Sequence, residues 1–134
     1  MRIIDDTKLD YDDVLLVPKR SILTSRKEVE LLRTFKFYHS PKVWTGIPIM
    51  TANMASCGTF EMAEVLSSHK IITTFHKYYT VEDYRTFFKT FNNPDYIAYT
   101  LGIRDEDIAK LQEMIKADLI KNFSFICIDV PNGY

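Results

Sequence analysis

Four places in the chain put a polar group or a glycine directly after an apolar run: Asn53, His76-Lys77, Gly102 and Asp129. An amide, an imidazole beside an ammonium, a bare backbone and a carboxylate are groups that bind and orient a polar ligand. Each also has a plainer use. Asn53 suits a turn, Lys77 a solvated surface, and Asp129 the start of a following helix. Their shared position favours a common site, because the carboxyl ends of strands carry the active site in parallel α/β folds. The two cysteines are weaker candidates. Cys57, directly before the helix-opening Gly58-Thr59, is rejected as a nucleophile, and Cys127 lies in an apolar run and reads as a small hydrophobe. Their spacing fits neither a metal site nor a disulfide framework.

Positioning these groups requires a regular alternation of elements. VWTGIPIMTA, from residue 43, reads as a strand with Pro48 near its start, and TFEMAEVLSSH as a helix capped by Thr59. KIITTF is a β-branched strand. VEDYRTFFKTF follows Thr80, with Asp83 completing a capping-box variant. DYIAYTLG is a third strand. DEDIAKLQEMIKADLI is a third helix, with Ile108, Leu111, Ile115 and Leu119 on one stripe. FSFICIDV closes the series, with Phe125 to Ile128 expected to be a buried strand and Asn132-Gly133 to open a turn. Strand starts recur at intervals of about 25 residues with a helix between each pair, the pattern of βαβ units and a parallel sheet. The spacing leaves an open sheet and a barrel equally possible. Residues 1–40 differ: DDVLLVPKR is a short apolar run closed by Pro18, and KEVELLRTFKF alternates like a half-buried strand. They read as an irregular leader with a small antiparallel element.

The bulk properties narrow the functional classes. The chain has 134 residues, 46% hydrophobic and 26% charged, with a formal net charge of −1. That balance and the scattered Lys and Arg argue against a nucleic-acid partner or an acidic membrane surface. The acidic start MRIIDDTKLDYDD is unlike a secretory signal. No apolar stretch approaches the roughly 20 residues that span a bilayer. A cytoplasmic location follows as the simplest expectation. A phosphoacceptor or flavin module would need an acidic cluster or phosphate loop after the first strand, and TANMASCGT offers neither.

Specific blocks sharpen this reading. KLDYDDVLLVPKRSILTSRKEVEL, GIPIMTANM, CGTFEMAEVL, FHKYYT and CIDVPNGY resemble consecutive blocks of the IMP dehydrogenase/GMP reductase family along essentially the whole chain. GTFEMA, HKYY and D-V-x-N-G-Y resemble the GMP reductase branch. So does the short Asn92-Asn93-Pro94 link, where IMP dehydrogenases usually carry a regulatory insertion; an IMP dehydrogenase-like fragment is the alternative within the family. The resemblance implies a (β/α)₈ TIM barrel, which needs about 250 residues. Residues 41–134 would then be its amino-terminal half, about four βα units, after the 1–40 leader.

The implied activity is NADPH-dependent reductive deamination of GMP to IMP and ammonia, an oxidoreductase step of purine interconversion. A cysteine thiolate first displaces ammonia and hydride then reaches the same carbon, splitting one hard displacement into two. The family's nucleophile lies in a later G-x-G-S-x-C-type loop, so no catalytic residue is expected before Tyr134, nor the monovalent cation site beside that loop. The chain alone is therefore expected to be inactive. Ser25-Arg26 would contact the adenosine end of NADPH, an arginine fork suiting its 2′-phosphate, although a solvated basic tail accounts for the pair equally well. Lys77 and Asp129-Val130-Pro131 would also contact the cofactor, while His76 could be structural. Asn53-Met54 would lie under the GMP or IMP purine. The family enzymes resemble tetramers, and the rival expectation is a non-catalytic half-barrel that pairs with itself or with a complementary half. Two departures fall on these loops: Ala55 replaces the family's acidic residue, and Pro131, which fixes φ and removes a donor, replaces alanine.

Overall fold

The computed structural model describes residue 3 and residues 5–131; the turn expected at Asn132-Gly133 lies outside them. The chain divides into two units, Met1–Glu30 and Leu31–Tyr134. Every described residue of the first unit is exposed, including Leu15 at 95% and Leu16 at 98%. Its order is local. A 3₁₀ turn at Tyr11–Asp13 is capped by Asp10, and a second at Arg26–Glu28 is capped by Ser25, whose hydroxyl accepts from the Lys27 amide at 3.3 Å. Thr24 braces that second turn by donating from its hydroxyl to Glu28 at 2.6 Å, which lowers the Glu28 carboxyl pKa.

The second unit is mixed α/β, with three helices and two sheets among the described residues. Strands β1 (Arg33–Lys36) and β2 (Val43–Gly46) form an antiparallel hairpin. Strands β3 (Thr73–Thr74), β4 (Ile97–Leu101) and β5 (Phe125–Ile128) form a parallel sheet in that order. Helices α1 (Phe60–Ser68), α2 (Val81–Phe87) and α3 (Asp105–Lys116) alternate with the parallel strands. The α/β class and the alternation agree with the sequence.

The first expected strand does not survive as one element. Residues 43–46 turn back to pair with β1, and only Met50 reaches the parallel sheet, through an isolated bridge to Ile72. The break falls at Pro48, which has no amide to donate. Beside it the Ile49 amide donates to the Ile47 carbonyl at 2.7 Å, closing a three-residue turn. KEVELLRTFKF likewise contracts to the four residues of β1, all exposed rather than half-buried.

The hairpin seats on the amino-terminal ends of β4 and β5. Trp44 is 4% exposed and donates from its indole N–H to the Asp95 carbonyl at 2.8 Å. Its ring meets Phe35, Tyr96 and Phe125. Lys42 donates to the Ser124 hydroxyl at 2.5 Å and pairs with Asp95 at 3.3 Å.

Between the sheet and the helices lies an aromatic core. Phe75, Tyr84, Phe87 and Tyr99 are buried there, and Phe60 and Phe123 pack against them. β4 is buried at all five positions because it has a strand on either side and helices above. β5 is not: its burial alternates, with Ile126 55% and Ile128 63% exposed. These two pair with Tyr99 and Leu101, so they share the helix-facing side. Cys127 is half-buried, not enclosed as the apolar run suggested.

Helix α3 departs from its expected stripe. Ile108 and Ile115 are 41% and 55% exposed, while Met114 is fully buried. The inward face runs through Asp107, Lys110, Leu111, Met114 and Ala117, which are half-buried or buried while the helix residues between them are exposed. That set keeps the spacing of one helical face but includes two charged residues. The helix also stops at Lys116 and not Ile120, because Asp118 takes φ 59° and reverses the chain.

Candidate functional site: a polar cleft at the carboxyl ends of the parallel strands

Lys77, Gly102 and Asp129 follow β3, β4 and β5, and the structure brings them together. With Ile103, Arg104, Asp107, Val130 and Pro131 they line a cleft of about 280 Å³. The Asp129 amide donates to the Leu101 carbonyl at 2.8 Å, which extends the β4–β5 ladder to the cleft edge. Gly102 is buried, and a Cβ there would overlap the Asp107 carboxylate. The absence of a side chain therefore lets α3 approach the end of β4. Asp107 in turn accepts the Arg104 amide at 3.3 Å, as the third helical residue of a capping box does.

His76 and Lys77 are adjacent but have different surroundings. The His76 ring is stacked on Tyr79 at 4.1 Å, and its Nδ1 accepts from the Tyr78 amide at 3.2 Å. Burial pushes its pKa down, against the effect of a backbone hydrogen bond and with Lys110 adding to the lowering. The ring is thus packed and hydrogen-bonded within its own loop. The Lys77 side chain is half-buried at the cleft, and its carbonyl accepts from the Lys110 ammonium at 2.6 Å. Burial also lowers the Lys110 pKa, against the pull of Asp107 and Asp83.

Asn53 and Met54 do not line the cleft. They occupy the loop between Met50 and α1, at the same end of the sheet. The Met54 carbonyl accepts the Cys57 and Gly58 amides at 3.1 and 2.7 Å, and the Cys57 thiol donates to the Ala52 carbonyl at 3.3 Å. Gly58 anchors this loop: its carbonyl accepts the His76 amide at 3.0 Å, and a Cβ on it would overlap the Thr74 carbonyl. Met54 is 60% exposed, Asn53 half-buried and Ala55 exposed. Ser25 and Arg26 lie in the first unit, at the 3₁₀ turn already described. Neither cysteine borders the cleft. Among the described residues, no three His, Cys, Asp or Glu side chains are grouped to hold a metal, and no helix is long and apolar enough to cross a membrane.

Sequence reasoning missed Ile103, Arg104, Asp107 and Lys110. One signal was present: Asp107 and Lys110 are three residues apart in a helix whose apolar spacing leaves room for both on the inward face.

The fold and the cleft define a class: parallel βα units that collect polar side chains at the carboxyl rim of a sheet. No family model matches the chain. Its sequence relatives are more specific. It is 46% identical to the GMP reductase of Salmonella arizonae over 136 aligned residues, a match that covers 100% of this chain and 39% of the relative. It is 46% identical to the GMP reductase of Buchnera aphidicola and 44% identical to that of Tolumonas auensis, again over the whole chain and 38% and 39% of those proteins. Over its full length the chain is therefore similar to GMP reductases, and it spans about 39% of the length of the relatives it matches.

Proposed function

We propose that this chain is the first, cofactor-facing portion of a GMP reductase, which reduces GMP to IMP and ammonia with NADPH. The observation that carries the reading is the single cleft lined by Lys77 and Asp129–Val130–Pro131, residues 52 or more positions apart in a chain 46% identical to GMP reductases. Its volume, about 280 Å³, is just under the range of complete small-molecule pockets. That suits one end of a dinucleotide rather than the whole of it. The chemistry of the lining also fits. Lys77 and Arg104 offer cationic donors for phosphate or ribose oxygens, and Asp129 accepts from hydroxyl or amide groups.

In this reading residues 41–134 form half of a (β/α)₈ barrel behind the 1–40 leader. Ser25 and Arg26 hold the 2′-phosphate end of NADPH, and Asn53 and Met54 underlie the purine. Bound NADPH would supply the hydride. The nucleophilic cysteine and the monovalent cation site are supplied from outside these residues, in a cytoplasmic homotetramer. The chain by itself binds NADPH weakly and turns nothing over. The test is NADPH oxidation with GMP, alongside NADPH titration of the wild type and of Lys77→Met and Asp129→Asn. GMP-dependent turnover by the chain alone, unaffected by Cys57→Ser, would overturn the reading; so would NADPH affinity indifferent to both cleft variants.

A second reading is a non-catalytic half-barrel that associates with another copy. Ile126 and Ile128 favour it, since they lie exposed on the helix-facing side of the outer strand β5. Sedimentation separates the readings: a dimer lost on Ile126→Lys supports self-pairing, and a monomer throughout counts against it.

A further inference from the structure

We propose that Lys110 is the positioning residue for Lys77, holding the end of β3 in place by donating from its ammonium to the Lys77 carbonyl. This rests on the reading of Lys77 as a cofactor contact and adds the group that aims it. The two residues are 33 positions apart, and the Nζ–O distance is 2.6 Å. β3 pairs with β4 only through Thr73 and Thr74, with the Phe75 amide adding one bond to Ala98, so the ladder has ended before Lys77. A carbonyl at such a place has no strand partner and is left to side chains or water, and Lys110 provides a donor from α3.

The placement is costly and therefore informative. Lys110 sits on the inward stripe of α3, where burial lowers its pKa. A lysine that only covered apolar surface with its stem would keep its head in water. Here the head is turned onto a backbone oxygen beside the cleft. One turn earlier on the same face, Asp107 packs against Gly102 and accepts the Arg104 amide. The segment from Asp107 to Lys110 thus joins the ends of β3 and β4, and the spacing of Lys77 from the other cleft residues depends on it.

NADPH titration of the chain tests this through a double-mutant cycle. Lys110→Met should weaken binding roughly tenfold, and Lys110→Arg, which keeps a cationic donor, should recover most of it. In a Lys77→Met background, Lys110→Met should change nothing further. Wild-type affinity in Lys110→Met overturns the proposal, as does an equal loss with and without Lys77. If Lys77→Met itself binds normally, the cofactor role of Lys77 fails, and a ligand-free measurement still decides the positioning. The carbonyl ¹³C resonance of Lys77 and its side-chain methylene shifts should move in Lys110→Met and return in Lys110→Arg; unchanged shifts overturn the proposal. Should Lys110→Met not fold by circular dichroism, Lys110→Gln takes its place in both measurements.

Discussion

The two ends of the parallel sheet are built on opposite plans. At the amino end the hairpin lays Trp44 against Tyr96 and Phe125 and ties itself down through Asp95 and Ser124. At the carboxyl end the same strands terminate in Lys77, Gly102 and Asp129 around an open polar cleft. One end is closed by burying rings, the other is held open by backbone hydrogen bonds and a missing side chain. The contrast teaches that one set of strands can carry a packed apolar end and an open polar end; in the proposed reading the second is the binding end.

Mutations should separate the ends. Trp44→Ala should have the largest effect, a loss of about 3–5 kcal/mol in urea unfolding, with little change in the NADPH affinity of the molecules that remain folded. A loss of affinity matching the loss of stability would erase the distinction. Gly102→Ala should cost less, about 1–3 kcal/mol, because the clash falls on a side-chain carboxylate that can move; displacing Asp107 should nevertheless close the cleft and abolish NADPH binding. Thr80→Ala lies on the loop after β3 but outside the cleft lining, and calibrates the comparison. It removes a cap in which the Thr80 amide donates to Asp83 at 2.7 Å and the Asp83 amide donates to Thr80 at 3.2 Å. The expected cost is about 1 kcal/mol, with binding untouched.

The carboxyl end should also respond to pH. His76 has a folded pKa below its ordinary value of 6.5, mainly through burial. Its contribution to stability is present above pH 6.5 and falls away as the pH drops toward the folded pKa, because the unfolded state takes up the proton first. Urea midpoints from pH 7.5 to 5 should show this slope, and His76→Gln should flatten it. The smallest effect belongs to Tyr84→Phe. The Tyr84 hydroxyl is buried without a partner among the described residues, and burial drives its pKa up. Removing it should be neutral or stabilising within about 0.5 kcal/mol; a larger loss in thermal unfolding would reveal a partner.

Local signals accounted for much of this molecule. Thr59 and Thr80 start their helices where the chain offers a hydroxyl ahead of an apolar-periodic run, and the Thr80–Asp83 reciprocity forms as the spacing implied. The runs IAYTL and FICI, within the expected strands, become β4 and β5. The gathering of Lys77, Gly102 and Asp129 was legible too, since strand ends in a parallel sheet share one rim, while Val130 and Pro131 were singled out by the family resemblance. Less legible was Asn53-Met54, whose loop lies at that rim without lining the cleft. The alternation rule fixes the end of the sheet a residue occupies, not the direction a loop takes afterward.

What the amino-acid order determined alone was the kind of each element, the caps that begin the helices, and the end of the sheet at which polar groups collect. These follow from interactions between residues a few positions apart. Tertiary structure alone decided that the expected strand breaks at Pro48 and leaves residues 43–46 to pair with β1, that α3 turns Lys110 and Asp107 inward in place of Ile108 and Ile115, and that an ammonium finds a carbonyl 33 residues away. The reason is physical: the burial of Trp44 and Met114 and the bond from Lys110 to the Lys77 carbonyl join residues far apart in sequence, so local signals carry no information about them.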